Sequence, residues 1–141
     1  MHTSEAEVRA LLEVRAACSR DKDAERLMSL YSPDIVYVDV VPPLRITGRE
    51  AVRANFERWF GEYEGPIDLE THELTVEAGE DLAYAHMIHR DTGTVKDGTL
   101  RSILVRSTVC LRRIEGEWLI THEHISVPVD PATMRAWQPQ E

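Results

Sequence analysis

The pattern of the chain changes at Gly65–Pro66, and this change limits the possible folds more than any other feature. Downstream, four long stretches read as strands: residues 67–77, 81–95, 99–114 and 117–127. Between them lie AGED, KDGT and IEGE, each with a glycine where a tight hairpin calls for positive φ. Strands joined by turns this short pair as antiparallel neighbours, so the second half predicts a four-strand meander.

Upstream the period is helical. Ser4 and Glu7 have capping-box spacing ahead of an apolar stripe of Val8, Leu11, Leu12 and Val14. A short second helix is expected from Ala24 to Tyr31, stopped by Ser32–Pro33. DIVYVDVV, residues 34–41, is rich in β-branched side chains and reads as a strand that Pro42–Pro43 ends. Thr47 and Glu50 repeat the capping-box spacing and open a third helix, with Val52, Phe56, Trp59, Phe60 and Tyr63 on its apolar face. Helices gathered at the N-terminus and packed on a curved antiparallel sheet make an α+β fold. No linker or repeat interrupts the 141 residues, so one domain over 1–141 is expected.

Charge and motifs exclude several functions. The formal net charge of −9 would repel phosphate backbones and anionic lipid, so no nucleic acid partner is expected. No apolar run reaches the ~18 residues a membrane helix needs. The start, MHTSEAEVRA, lacks the apolar core of a signal peptide, and Cys18 and Cys110 form no CxxC pair. A cytoplasmic protein with two reduced, packed thiols is the expectation. No phosphate loop, nucleophile elbow or HExxH motif is present, and no cofactor is expected.

Strand alternation then sorts side chains by face. In 99–114 the odd positions Ile103, Val105, Ser107, Val109 and Leu111 are more apolar than the even ones. A three-residue loop closing on Gly116 would put Leu119, Thr121, Glu123, Ile125 and Val127 on that same face. The KDG turn extends it to Ala83, Ala85, Met87 and His89. The odd face is expected to line a cavity against the helices. In the segment THEH, Glu123 would then point inward while His122 and His124 point outward. These two histidines, with His86, could offer ligands to a metal, but nothing else in the sequence supports one, and no metal is expected. The even face, with Tyr84, Leu104, Arg106, Trp118, Ile120 and His124, is expected to carry a homodimer interface.

Two segments resemble the nuclear transport factor two-like superfamily, which includes ketosteroid isomerase, the SnoaL-like polyketide cyclases and a kinase association domain. RRIEGEWLITHEHISVP is similar to the arginine-pair, glycine, tryptophan, His-x-His pattern of that association domain. DAERLMSLYSPDIVYVDVVPPLRITG, residues 23–48, is similar to the isomerase stretch that carries the catalytic base, and Asp39 falls on that base. The resemblance implies a cone-shaped curved sheet wrapped by three N-terminal helices and enclosing a cavity. It implies cofactor-free acid–base chemistry, as an isomerase, cyclase or dehydratase, on a hydrophobic oxygenated metabolite, natural-product pathways included. The alternative is a non-catalytic ligand-binding or oligomerisation module of the same fold. Two departures stand out: Arg15 takes the place of the isomerase's oxyanion-holding tyrosine, and residues 99–114 hold no carboxylate.

The candidate catalytic residues are Asp39, Glu123 and His89. A cavity-facing Asp39 in an apolar strand would have its pKa raised by desolvation and serve as general base; the alternative is a strand-end aspartate bonded to nearby backbone. Glu123 on an apolar face needs a partner, either Arg15 or His89, or a function. Arg15, Tyr37, Phe56, Trp59, Met87 and Ser107 are the expected binding residues.

Overall fold

The computed structural model describes residues 3–140. Helix α1 spans Thr3–Asp21 and α2 Ala24–Met28; strands β1, Tyr31–Val38, and β2, Ile46–Thr47, follow, then α3, Arg49–Gly61. The meander is β3, Asp68–Ala78; β4, Leu82–Thr94; β5, Leu100–Ile114; and β6, Glu117–Ser126. A small hairpin of β7, Val129–Asp130, and β8, Arg135–Ala136, follows. The main sheet has the order β2-β1-β6-β5-β4-β3, with β1 parallel to β6 and the other pairs antiparallel. This is the α+β architecture expected, with the meander within one residue of its predicted limits.

The first half departs from expectation in three places. Tyr31 does not end a helix: it begins β1, is fully buried, and stands opposite Ile120. Its neighbour Leu30 accepts a hydrogen bond from the Ile120 N–H, so strand pairing takes this segment from the helix. Pro33 falls where the β1–β6 register is irregular, a position that tolerates a missing N–H. Neither capping box caps. Ser4 lies inside α1; its hydroxyl and the Glu7 carboxylate accept from Arg113, and Trp118 also donates to Glu7. Arg113 covers the Trp118 ring, 4.5 Å from its centroid. The pair thus docks α1 on the β5–β6 hairpin. Gly48, not Thr47, is the N-cap of α3.

The β5–β6 turn corrects the parity argument. Ile114 pairs with Glu117, leaving a two-residue turn whose Glu115 and Gly116 both take positive φ, 50° and 85°. That is the two-residue geometry matched to strand twist, and glycine takes its second position at no steric cost. Odd residues of β5 therefore face even residues of β6 near the turn: Leu111 pairs with Ile120 and Arg113 with Trp118. Trp118 and Ile120 are buried, not on the outer face as expected. Thr121 is then an extra residue, because Ile120 pairs with Leu111 and His122 with Cys110. This bulge returns the odd positions inward, so Glu123 faces Val109 across the ladder. A second bulge at Glu73, φ 52°, lies between His72 and Thr75 of β3. Bulges bend the strands that carry them, and the two curve the sheet around α1 and α3. The AGED turn also differs: Gly79 is absent from the positive-φ residues, and its N–H bonds the Leu82 carbonyl.

The core joins one face of each helix to the inner sheet face. From α1 come Val8, Leu12 and Cys18, from α3 Val52, Phe56 and Phe60, and from the strands Ile35, Ala85, Val109, Leu111 and Ile120. Leu11 and Val14 only flank it. The buried face of α1 continues instead through Arg15 and Ser19. Among the described residues no helix is long and apolar enough to cross a membrane.

Candidate functional site

The concave sheet, α1 and α3 enclose a cavity of about 190 Å³. Its aromatic wall is Tyr37 of β1 with Phe56, Trp59 and Tyr63 of α3 and its end; its aliphatic wall is Leu69, Ile103, Val105 and Ile125. Phe56 meets the Tyr37 ring edge-on at 5.3 Å, and Trp59 meets Tyr63 edge-on at 6.0 Å, so the wall is an interlocked set of rings.

Three polar groups break this lining. The first is an anchor tying three elements together. Arg15 of α1 donates through Nη1 to Glu123 Oε2 at 2.9 Å, and the Tyr31 hydroxyl donates to Glu123 Oε1 at 2.6 Å. Arg15 and Glu123 are 4% and 3% exposed, so neither charge is tolerable alone. Burial works against the Arg15 charge, yet Glu123, with Tyr31 and Tyr37 beside it, holds the guanidinium above its ordinary pKa. Burial first, and Glu123 next, push the Tyr31 and Tyr37 phenols well above their ordinary value. Nη2 of Arg15 also approaches the Met87 sulfur at 3.5 Å.

The second group is His89 with Asp91, both on the inner face of β4. Nδ1 of His89 lies 2.6 Å from Asp91 Oδ1, and both side chains are buried. With Asp91 as acceptor, Nδ1 carries the proton and Nε2 the lone pair. Among the described residues Nε2 has no hydrogen-bond partner.

The third group stands at the rim. β1 ends at Val38, so Asp39 is the first residue past the strand rather than inside it. Its Oδ1 accepts from the Val40 N–H at 2.6 Å and its Oδ2 from the Asn55 amide at 2.7 Å, with Arg58 3.8 Å away. The apolar surroundings expected for this carboxylate are replaced by polar donors. Glu62 links Arg58 to Arg101 across the same rim.

Of the candidates drawn from the sequence, Asp39, Glu123, His89, Arg15, Tyr37, Phe56 and Trp59 line this cavity, and Met87 and Ser107 do not. Met87 packs beneath Arg15, and the buried Ser107 hydroxyl has no partner among the described residues. Tyr31, Asn55, Arg58, Tyr63 and Asp91 also belong to the site and were not foreseen. Asp91 alone had a signal, since strand alternation places it on the face of His89. On the outer face, His86, Thr108 and His124 line a broader groove of about 610 Å³. Among the described residues no three His, Cys, Asp or Glu side chains are grouped to hold a metal ion.

A helix-backed, strongly curved sheet closed around a small cavity with buried polar groups defines the nuclear transport factor two-like class. The chain belongs, within it, to the SnoaL-like family, whose domain model matches residues 8–130. A nuclear transport factor two-like protein of unknown function from Pseudomonas putida is similar over 100% of this chain and 98% of its own, at 33% identity and a TM-score of 0.90. A superfamily member from Salmonella enterica covers 96% of this chain and 98% of its own, at 17% identity and a TM-score of 0.81. A candidate dehydratase of this family from Streptomyces avermitilis covers 86% and 93%, at 20% identity and a TM-score of 0.76. The last two likenesses concern the fold. No curated protein matches the chain in sequence.

Proposed function

We propose that the protein binds a small, mostly apolar, oxygen-bearing metabolite and moves a proton on it without a cofactor, as an isomerase, cyclase or dehydratase does. The observation that carries this reading is the His89–Asp91 pair in the wall of an apolar cavity. Asp91 fixes one ring nitrogen, which leaves Nε2 as a proton acceptor for a carbon next to a carbonyl. The electron pair of the broken C–H bond then moves toward the carbonyl oxygen, and the proton returns at another carbon or leaves with a hydroxyl group as water. Asp39 lies three strands away, just past the end of β1, held by Asn55 as a carboxylate at the cavity rim. Glu123, with both oxygens occupied, acts as a structural anchor rather than an acid. The cavity of about 190 Å³ is below the roughly 300–1,000 Å³ usual for drug-sized ligands, which favours one ring over a fused polycycle.

The test compares His89→Asn with Asp39→Asn on whatever small molecule co-purifies, identified by mass spectrometry. Loss of turnover in His89→Asn with ligand binding retained supports His89 as the base. Loss in Asp39→Asn alone would transfer that role to Asp39. Turnover absent from the wild-type protein, with the ligand still bound, would favour a carrier over an enzyme.

The outer sheet face is the surface we assign to a second copy of the chain. Tyr84, Arg106 and His124 remain on it, Tyr84 at 47% exposure, although Trp118 and Ile120 do not. Sedimentation equilibrium at micromolar concentration should show dimers, and monomers alone would refute the assignment. Cys18 and Cys110 are unpaired, which suits a reducing, cytoplasmic setting.

A further inference from the structure

We propose that Tyr63 is the hydrogen-bond donor to the ligand's oxygen, supplying the oxyanion contact for the proton transfer assigned above, on which this inference rests. Tyr63 is fully buried in the cavity wall, and its hydroxyl has no acceptor among the described residues; the group beside it, the Arg101 guanidinium, can only donate. A buried hydroxyl without an acceptor is costly, and such groups are rare unless something absent from the chain completes them.

The seat of the ring is built for it. The inward row at the end of β4 runs His89, Asp91, Gly93, and the third position carries no side chain. Tyr63 fills that gap from the end of α3, and its N–H bonds the Phe60 carbonyl. A Cβ at residue 93 would stand 2.7 Å from Cδ2 of Tyr63 and 2.9 Å from Cε2. Only glycine lets the ring lie against the strand here. The Arg101 guanidinium lies over the ring, 5.4 Å from its centroid, and Trp59 meets the ring edge-on. A cation beside a phenol favours polarisation of its O–H toward an acceptor.

The spacing suits the chemistry. His89 and Gly93 are four residues apart on one strand, roughly 13 Å between Cα atoms. His89 enters at one end of that span and the Tyr63 ring lies against the other, both lining the same cavity of about 190 Å³, a volume that suits one six-membered ring. When Nε2 of His89 takes a proton from carbon, the electron pair of the C–H bond shifts onto the ligand oxygen. The Tyr63 hydroxyl meets the negative charge that develops there.

The experiment uses two six-membered rings of nearly equal shape, cyclohexanone and methylenecyclohexane, as probes of the full chain. Binding is followed by NMR titration, and proton transfer by exchange of the cyclohexanone α-protons for deuterium in D2O. Wild-type protein should bind the ketone about tenfold more tightly than the hydrocarbon and accelerate its exchange. Tyr63→Phe should erase that preference and slow exchange roughly 100-fold. It should also leave methylenecyclohexane affinity unchanged and raise the melting temperature of the free protein, since an unmet hydroxyl is removed. His89→Asn should stop exchange while keeping the preference. A preference that survives Tyr63→Phe overturns the assignment of Tyr63 alone. Wild-type preference without exchange refutes the proton-transfer reading and leaves Tyr63 as a binding donor. Failure of both probes to bind overturns both.

Discussion

Two buried polar pairs stand in the wall of one cavity, and they differ in what they leave unused. In the anchor, Glu123 spends both oxygens, one on Arg15 and one on Tyr31. Its three members come from α1, β1 and β6, so the network closes the fold across elements distant in sequence. In the second pair, His89 and Asp91 are two residues apart on one strand and join no separate elements. One ring nitrogen is fixed and the other is left to the cavity. Arg15 Nε finds no partner among the described residues, but the carboxylate at the centre of the anchor is fully used. A buried carboxylate with both oxygens occupied contributes to folding, and an imidazole that keeps a nitrogen open is available for chemistry.

Removing a member of the anchor should have the largest effect on stability. Glu123→Ala leaves the Arg15 guanidinium buried beside nothing of opposite charge. A loss of about 3–5 kcal/mol is expected from urea unfolding. A loss under about 1 kcal/mol would mean that water or a rearranged side chain already serves Arg15, and the anchor would not hold the fold.

A smaller effect should appear at alkaline pH. The Tyr31 and Tyr37 phenols, shifted up first by burial and then by Glu123, keep their protons more firmly when folded than when unfolded. A group whose folded pKa is raised stabilises fully below its unfolded value, and that contribution is lost as pH climbs toward the folded value. Stability should therefore be flat toward neutrality and fall above the ordinary phenol value of 10.0. The slope is at most about 1.4 kcal/mol per pH unit for each tyrosine. Urea midpoints measured between pH 8 and 11 would show it, and Tyr31→Phe should flatten the decline. A midpoint independent of pH across that range would show that the phenols are not as enclosed as the anchor requires.

The contrast between these pairs was only half legible in the sequence. The meander was readable because alternation and glycine-bearing turns are local signals, and β3 to β6 follow them. The register near Gly116 was not, because two-residue and three-residue loops both accept the segment IEGE. Thr121, whose bulge returns Glu123 to the core, looks like any other strand residue. The two departures offset each other: the turn reverses the parity and the bulge restores it. Trp118, Leu119 and Ile120, lying between them, are the residues misplaced: the first and third are buried, and Leu119 pairs with Arg112 on the other face. Tyr31 was missed because helix propensity carried α2 too far, and pairing with β6, which lies 89 residues later, decides that position. Arg15 interrupts an apolar stripe, so counting apolar residues along α1 hides that it is the most consequential side chain on that face. Asn55 and Tyr63 offer no pattern by themselves; their roles arise only when α3 meets the ends of β1 and β4.

The smallest effect on stability should accompany a large effect on chemistry, and this result most directly separates the two pairs. Asp91→Asn keeps the size of the side chain and an oxygen that accepts the His89 Nδ1–H, so the fold should lose no more than about 1 kcal/mol. What disappears is the negative charge that stabilises the imidazolium formed when Nε2 takes a proton. Proton transfer should then slow by about 100-fold or more, with ligand affinity little changed. Exchange of ligand α-protons measures the first and equilibrium unfolding the second. If Asp91→Asn destabilises the protein as much as Glu123→Ala does, the His89–Asp91 pair is a second anchor, and the open nitrogen of His89 has no catalytic meaning. If it slows exchange in a protein as stable as wild type, the difference between the two pairs is functional: one holds the cone closed, and the other works inside it.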